Sequence, residues 1–163
     1  MKTIAVIGWK NSGKTTLVSN LVNYLSEKKF KVGVVKHAHH AFDIDHPNTD
    51  SYKIREAGSF KTTIVSEKRL AYIEEKSTSE IDIEELIQLN KGCDILIFEG
   101  FKKIKKLSKI EVNLTKNKKE MLYKSFDNIK LLVSDDDESE HPIKVLRHEQ
   151  IDEIAKEILS DSF

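Results

Sequence analysis

An eight-residue segment near the N-terminus constrains the fold of this chain more than any other feature. Residues 8–15, Gly-Trp-Lys-Asn-Ser-Gly-Lys-Thr, match the phosphate-binding loop pattern G-x-x-x-x-G-K-[ST] at every fixed position. An apolar, β-branched run at 3–7 precedes the loop, and residues after it repeat at helical spacing, namely Leu17, Leu21, Val22 and Leu25. Because this loop joins a strand to a helix, the sequence predicts a buried parallel strand, the loop and an amphipathic helix in that order.

The residue types in this loop fit the binding of a nucleoside triphosphate with Mg²⁺. Gly8 and Gly13 allow backbone angles that are closed to residues with a β-carbon, so that N–H groups can turn towards an anion. The helix that starts near Lys14 adds the positive end of its dipole. We expect Lys14 to contact the β- and γ-phosphates and the Thr15 hydroxyl to bind Mg²⁺. The predicted nucleotide-binding residues of the segment are Gly8, Trp9, Lys10, Asn11, Ser12, Gly13, Lys14, Thr15 and Thr16.

The composition limits the classes of function. The 163 residues include 27 Lys and Arg and 27 Asp and Glu, and this balance disfavours a general nucleic-acid binder. No apolar run approaches the roughly 20 residues that span a membrane. The N-terminus leads directly into a strand without a signal-peptide pattern, and the single Cys93 cannot form an internal disulfide. We therefore expect a cytoplasmic protein, folded as one domain over residues 1–163, that binds neither membrane nor nucleic acid.

Further strand and helix patterns alternate along the chain. Strands are predicted at 31–36, 60–66, 70–74, 94–100, 110–114 and 129–133, and helices at 51–57, 82–91 and 148–159. The strands at 60–66 and 70–74 are close enough for a hairpin, and a basic stretch covers 102–109. The alternation predicts an α/β fold of the P-loop NTPase type, with a doubly wound, mostly parallel sheet and flanking helices.

Acidic residues follow two of the predicted strands. Glu99 closes an apolar run, at the strand end where ligands bind in open α/β sheets. A carboxylate there is costly unless a positive group faces it, and Mg²⁺ prefers oxygen ligands. We interpret Glu99 as the second acidic group of the phosphate site, and Lys14 and Glu99 as its catalytic residues. Asp43 and Asp45 lie beyond another strand, where either carboxylate could approach Mg²⁺ or remain solvated in the loop.

Three histidines, His37, His39 and His40, fall within four residues. Imidazole is a common zinc ligand, but the chain has one Cys and no second histidine cluster at metal-ligand spacing, which disfavours zinc. Contact with a phosphate or a second ligand, and packing within the loop, are the other interpretations.

Two later segments bear on the choice of base. Residues 113–117 resemble the guanine-reading motif N-K-x-D only loosely, because no Asp stands at the required place. Asp135 follows the strand predicted at 129–133. Its carboxylate could accept hydrogen bonds from guanine N1 and N2, which adenine does not offer, and this favours GTP over ATP.

The order and spacing of several segments resemble the molybdopterin-guanine dinucleotide biosynthesis protein B family. These segments are the loop at 8–15, K-H-A-H-H at 36–40, F-D-I-D-H-P at 42–47, D-S-Y at 50–52, A-G at 57–58 and F-E-G-F-K at 98–102. The resemblance covers about residues 1–135 and, more loosely, the C-terminal helix. The pair K-H-x-H-H and D-x-D-x-P is more specific than the phosphate loop. Asn48 departs from the family pattern, which often has Gly after the Pro.

The resemblance implies a GTP-binding protein with weak Mg²⁺-dependent GTPase activity. Such proteins assist the enzyme that joins GMP to molybdopterin, which makes the guanine dinucleotide form of the molybdenum cofactor. The resemblance also implies a homodimer that works with the molybdopterin guanylyltransferase, and molybdopterin itself is a further candidate ligand. Carried over by position, Gly13, Lys14 and Thr15 hold phosphate and Mg²⁺, and Asp45 and Glu99 are the acidic groups on the metal side.

A small-molecule kinase of the P-loop class, with its substrate near His37–His40, is the alternative. A kinase is expected to have a lid rich in arginine. The chain contains only Arg55, Arg69 and Arg147, none of them in an obvious lid. This favours the accessory protein.

Overall fold

The computed structural model describes residues 1–38, 42–76, 81–136 and 138–163. The chain divides into two compact units, one formed by Met1–His37 with Ile83–Phe163 and the other by Ala38–Asp82. The single domain expected over 1–163 stays a prediction.

The described helices and strands have the following bounds. The strands are β1 Lys2–Ile7, β2 Val32–Lys36, β3 Lys61–Val65, β4 Leu70–Glu74, β5 Ile95–Glu99, β6 Ser108–Val112, β7 Ile129–Val133 and β8 Lys144–Leu146. The α-helices are α1 Lys14–Glu27, α2 Asp50–Glu56, α3 Ile83–Leu89 and α4 Ile151–Leu159, and 3₁₀ turns cover Thr115–Asn117, Leu122–Lys124 and Glu138–Glu140. None of the helices in the described part of the chain is long and apolar enough to cross a bilayer.

A parallel sheet forms the centre of the first unit. Its described strands lie in the order β2-β5-β1-β6-β7-β8, and every hydrogen-bonded pair is parallel. The chain starts in the middle of the sheet and extends it in both directions, so the direction reverses beside β1. This confirms the predicted doubly wound, parallel architecture, and ligands bind such sheets at the carboxyl ends of the strands beside that reversal.

The two faces of the sheet have separate apolar cores. Alternate residues of a strand point to opposite faces, so Ile4 and Val6 pack in one core while Ala5 and Ile7 pack in the other. Helices α1 and α4 supply Leu17, Leu21 and Ile154 to the first core. Covering both faces explains why β1 and β5 are continuous apolar runs.

The C-terminal half differs from the sequence prediction in three places. Strand β6 covers Ser108–Val112 instead of residues 110–114, so Lys109, from the basic stretch at 102–109, lies in the core at 1% exposure. The Lys109 ammonium donates to the carbonyl oxygens of Asp127 at 2.9 Å and Leu107 at 3.2 Å. Strand β8 was not predicted. Helix α4 begins at Ile151 because residues 147–150 form a turn, in which the Gln150 side chain accepts from the Arg147 N–H at 2.6 Å.

The second unit combines α2 with the hairpin of β3 and β4. The two strands pair in antiparallel fashion, which confirms the predicted hairpin. Thr49 caps α2, since its hydroxyl oxygen accepts from the Tyr52 N–H at 3.3 Å. Arg55 donates to Asp43 at 2.9 Å and to Glu75 at 3.0 Å, and these partners raise the pKa of its guanidinium.

Candidate nucleotide-phosphate site

The phosphate loop passes closely over the end of β6. A β-carbon on Gly8 would lie 2.4 Å from the Val112 carbonyl oxygen and 2.4 Å from Ser12 Oγ, so only glycine fits there. Gly13 has a φ of 93°, in the left-handed region that glycine adopts without strain. The Ser12 hydroxyl is buried without a hydrogen-bond partner among the described residues. The backbone therefore has the tight turn that the motif requires between β1 and α1.

Lys14, the first residue of α1, folds back over this loop. Its ammonium donates to the Trp9 carbonyl oxygen at 2.7 Å. Burial lowers the pKa of Lys14, nearby Lys36 and Lys102 lower it further, and the Glu99 carboxylate opposes these effects. The ammonium is thus a partly desolvated cation, and its hydrogen-bond partner among the described residues is a neutral carbonyl. A phosphate oxygen would replace that carbonyl with a charge-assisted contact.

The structure brings Thr15 and Glu99 together. The Thr15 hydroxyl, in the first turn of α1, donates to Glu99 Oε1 at 2.7 Å. Glu99 is the last residue of β5 and lies opposite Val6 of β1, so the sheet register fixes its place beside the loop. The Glu99 residue is only 7% exposed. Two residues that the sequence predicted for one metal site are therefore neighbours, although they are 84 positions apart.

Sequence reasoning missed Lys36 as part of this site. Its ammonium lies 3.0 Å from Glu99 Oε1 and 3.2 Å from Thr15 Oγ1. Lys36 ends β2 as Glu99 ends β5, and the two residues are opposite one another in the parallel ladder. The position of Glu99 at the end of an apolar run indicated that some cation must face its carboxylate. It did not identify Lys36, because the pairing of β2 with β5 is not visible in the sequence.

The donor set at Thr15 and Glu99 fits Mg²⁺. A hydroxyl and a carboxylate oxygen lie within hydrogen-bond distance of each other beside the phosphate loop, and a cation already faces both. Mg²⁺ binds one or two protein oxygens together with substrate phosphates and several waters. No cluster of three or more His, Cys, Asp or Glu that could hold a metal occurs within 1–38, 42–76, 81–136 and 138–163.

A third lysine lies near the loop on an aromatic surface. The Lys102 ammonium is 4.8 Å from the centroid of the Trp9 ring and 5.9 Å from that of Phe126. The Trp9 indole N–H donates to the Glu120 carbonyl oxygen at 2.7 Å, which fixes the ring. Lys36 contacts the Glu99 carboxylate, and Lys36, Lys102 and Glu99 all act electrostatically on Lys14, so three ammonium groups and one carboxylate lie near the loop. The local charge therefore favours a polyanion.

His37 packs beside the end of β5. Its ring lies 5.2 Å from the Phe101 ring, and its Cβ is 3.1 Å from where a β-carbon on Gly100 would stand. His39 and His40 lie outside the described residues, so the interpretations of the three histidines stay open.

Asp135, the predicted base reader, holds the segment after β6. Its carboxylate accepts from the Thr115 N–H at 2.7 Å and from the Thr115 hydroxyl at 2.9 Å, and the first of these bonds contributes most to lowering its pKa. In the same turn, the Asn117 amide donates to the carbonyl oxygen of Asn11 in the phosphate loop at 3.4 Å. Asp135 and the loop therefore border the same turn, and reading of the base by Asp135 stays a prediction.

Asp45 belongs to the second unit, where local donors surround it. Its carboxylate accepts from the hydroxyls of Ser51 at 2.9 Å and Thr49 at 3.1 Å, and Arg55 lies at 3.4 Å. Burial by itself would raise the pKa of Asp45, but these bonds together outweigh it and lower the pKa. The part predicted for Asp45 at the metal stays a prediction.

Comparisons with known proteins agree with one another. The family model for molybdopterin guanine dinucleotide synthesis protein B matches residues 3–135. The molybdopterin-guanine dinucleotide biosynthesis adapter protein of Escherichia coli strain K12 is 35% identical over 102 residues, which cover 61% of this chain and 58% of that protein. The adapter protein of Haemophilus influenzae is 32% identical over 101 residues, which cover 61% and 56%. The matched region thus spans little more than half the length of these relatives.

Solved structures resemble this one over nearly the whole chain. A crystal structure of molybdopterin-guanine biosynthesis protein B superposes with a TM-score of 0.74 at 27% identity, covering 96% of this chain and 97% of that one. The Bacillus subtilis MobB structure gives a TM-score of 0.75 at 21% identity, covering 99% of each chain, and supports the fold alone.

Proposed function

This chain belongs to the molybdopterin guanine dinucleotide synthesis protein B family, and from that premise we propose that it is a GTP-binding accessory protein in molybdopterin guanine dinucleotide assembly. The observation that carries the proposal is the Thr15–Glu99 contact beside Lys14, under a phosphate loop with the required glycine turns. It acts with Mg²⁺ in the cytoplasm.

Different residues at the loop bind the phosphates and the Mg²⁺. Lys14 exchanges the Trp9 carbonyl for oxygens of the β- and γ-phosphates, which gives stronger contacts because both partners are charged. Thr15 and Glu99 hold Mg²⁺, which neutralises charge on those phosphate oxygens. The turn at 115–117, which Asp135 fixes, borders the base.

Weak hydrolysis is consistent with the charges near the loop. An arginine that stabilises the transition state speeds GTP hydrolysis greatly in other P-loop proteins. The first unit contains a single arginine, Arg147, which donates to the Ser134 carbonyl oxygen at 3.4 Å beyond the end of β7. A partner protein is therefore the expected source of any faster hydrolysis. The shortage of arginine equally disfavours the small-molecule kinase.

In this proposal the protein is a homodimer that works with the molybdopterin guanylyltransferase. Molybdopterin is a candidate second ligand. Several large apolar side chains of the second unit support a protein contact there, since Phe42, Phe60, Val65 and Leu70 are each at least 60% exposed. Light scattering of the purified protein tests the dimer. Co-purification with the guanylyltransferase tests the partner.

Calorimetric titration tests the nucleotide site. GTP, ATP and molybdopterin are titrated separately, with and without Mg²⁺, into the wild type, Lys14→Ala and Lys103→Ala. We expect Lys14→Ala to lose about 10- to 150-fold in GTP affinity, the range for a lost hydrogen bond to a charged group. Lys103 is an exposed neighbour in sequence of Lys102 and serves as the charge-matched control. Equal GTP affinity in the wild type and Lys14→Ala would remove the phosphate loop from the proposal.

A further inference from the structure

Lys36 contacts the same two oxygens that the metal needs. The carboxylate oxygen Glu99 Oε1 and the hydroxyl oxygen Thr15 Oγ1 lie 3.0 and 3.2 Å from the Lys36 ammonium. The Thr15 hydroxyl already donates its proton to Glu99, so it meets Lys36 through a lone pair. A metal ion would use that lone pair and that carboxylate oxygen. Two cations cannot share this pair of oxygens without strong repulsion.

The sheet positions the Lys36 ammonium against Glu99, but the lysine side chain can still move away. Lys36 and Glu99 end neighbouring strands in register, which places the ammonium at the carboxylate. The Glu99 side chain is 8% exposed, whereas that of Lys36 is 58% exposed. The carboxylate is therefore fixed in the protein, while the lysine reaches it from solvent on a flexible four-carbon stem.

The other two lysines of the site have different partners. Lys14 donates to the Trp9 carbonyl and the Lys102 ammonium lies over the Trp9 ring. Among the described residues, the ion pair of Glu99 is formed with Lys36. Without Lys36, the nearly buried carboxylate would face the incoming phosphates with no cation in contact, which is unfavourable.

We propose that Lys36 is a tethered cation that occupies the metal position of the Thr15–Glu99 pair, so that Lys36 and the divalent ion are alternative occupants. In the metal-free protein it neutralises Glu99 and keeps the site open to a triphosphate. When a divalent ion binds, the ammonium leaves. Lys36 is thus a positioning residue for metal binding. Only the test of this proposal with GTP rests on the proposed function.

Binding of Mn²⁺ alone tests the competition without any nucleotide. Electron paramagnetic resonance measures free Mn²⁺ in titrations of the wild type, Lys36→Met, Lys102→Met and the double variant Lys36→Met/Glu99→Gln. If Lys36 occupies the pair nine tenths of the time, its removal strengthens Mn²⁺ binding about tenfold, since the apparent dissociation constant scales with the competent fraction. The gain should vanish in the double variant, which places the ion at Glu99.

Lys102→Met distinguishes direct competition for the Thr15–Glu99 pair from a general effect of removing positive charge. It removes one positive charge from the same site, but the Lys102 ammonium lies over Trp9 instead of against Glu99. We expect it to raise Mn²⁺ affinity less than threefold. Equal gains in Lys36→Met and Lys102→Met, or no gain in Lys36→Met, would overturn the proposal. A cooperative thermal unfolding transition and an unchanged far-ultraviolet circular dichroism spectrum of Lys36→Met would exclude a trivial loss of fold.

Metal-free GTP binding is the second arm. With a chelator present, Lys36→Met should bind GTP about tenfold more weakly than the wild type, because the unpaired Glu99 carboxylate then repels the triphosphate. Saturating Mg²⁺ should reduce this difference to less than threefold. A loss of equal size with and without Mg²⁺ would assign Lys36 to the phosphates instead of the metal position. Failure of GTP to bind the wild type would defeat the proposed function, and the Mn²⁺ result would stand independently.

Discussion

Gly13 has two physical reasons to be glycine. Its φ of 93° costs a residue with a side chain roughly 1–2 kcal/mol, and a β-carbon there would lie 3.0 Å from His148 Nε2. That nitrogen is buried and has no hydrogen-bond partner among the described residues. His148 therefore packs directly on the phosphate loop, although it lies beyond the matched region 3–135.

Gly13→Ala is expected to lower the free energy of unfolding by about 2 kcal/mol or more, as strain and the clash add. His148→Ala should relieve the clash but not the strain, so the double variant should be more stable than the sum of the single effects predicts. Urea denaturation of the wild type and all three variants measures this coupling. Additive effects would show that the His148 ring moves aside freely.

Asp135 combines two possible roles that one substitution separates. Asp135→Asn keeps an acceptor for the Thr115 N–H and presents an amide to the Thr115 hydroxyl, which can accept, so the turn should persist. The amide cannot accept as a carboxylate does from guanine N1 and N2. We expect the preference for GTP over ATP to fall about tenfold, measured by competition, because the guanine donors lose their partner. Thr115→Val controls for positioning, and an unchanged preference in Asp135→Asn would assign base reading elsewhere.

Among single residues, the sequence could predict those whose chemistry follows from a local motif. Lys14, Thr15 and Glu99 belong to this group, since the loop pattern and the end of an apolar run are visible without a fold. Lys36 does not, because its partner is set by which strands pair. His148 does not either, since nothing local to it points at the phosphate loop.

The buried end of β6 organises the segment that follows it. The Glu111 carboxylate is fully buried and accepts from the N–H groups of Leu122 at 2.6 Å and Tyr123 at 2.9 Å, which begin the 3₁₀ turn Leu122–Lys124. Burial raises the pKa of Glu111 above its usual range, and the two N–H donors oppose that rise. One side chain thus anchors a turn eleven residues away.

Glu111→Gln is expected to lower the free energy of unfolding by about 1–3 kcal/mol, because its amide nitrogen would face a buried N–H donor. A carboxyl whose pKa is raised by folding stabilises the protein most below its unfolded pKa, and that contribution is lost as pH rises through the folded pKa. The difference between the wild type and the variant should therefore be largest near pH 4 and shrink towards pH 8. Urea denaturation across this range measures it. A gap that widens with pH would contradict the raised pKa.

Element prediction succeeded where the pattern was long and failed where it was short. The continuous apolar runs of β1 and β5 and the hairpin of β3 and β4 were visible in the sequence. Strand β8 has three residues, Lys144–Leu146, too few to show a period, and it pairs only through its place beside β7. Strand β6 was predicted two residues too late because Lys109 was grouped with the basic stretch at 102–109, whereas two carbonyl groups bind its ammonium inside the fold.

For the whole molecule, the sequence specified an α/β sheet but not its strand order. Alternating strands and helices limit the topologies to a few, and right-handed crossovers limit them further. The order β2-β5-β1-β6-β7-β8 depends on which apolar faces pack best, a property of the whole core. That order determines the site, since it brings the ends of β2 and β5 to the loop that follows β1.

Binding of Mg²⁺–GTP should stabilise the entire chain measurably. A ligand that binds only the folded protein, at 100 times its dissociation constant, raises the free energy of unfolding by about 2.7 kcal/mol, or roughly 5–11 °C in Tm for a chain of this size. Trp9 is the only tryptophan and lies in the phosphate loop, so its fluorescence reports on the site while far-ultraviolet circular dichroism reports on all elements. If residues 1–163 form one cooperative domain, both signals should change at the same temperature with and without GTP. A dichroism change that precedes the Trp9 transition would mean that the unit formed by Ala38–Asp82 unfolds separately. In Lys14→Ala we expect the Tm not to respond to GTP. The same lack of response in the wild type would contradict nucleotide binding itself.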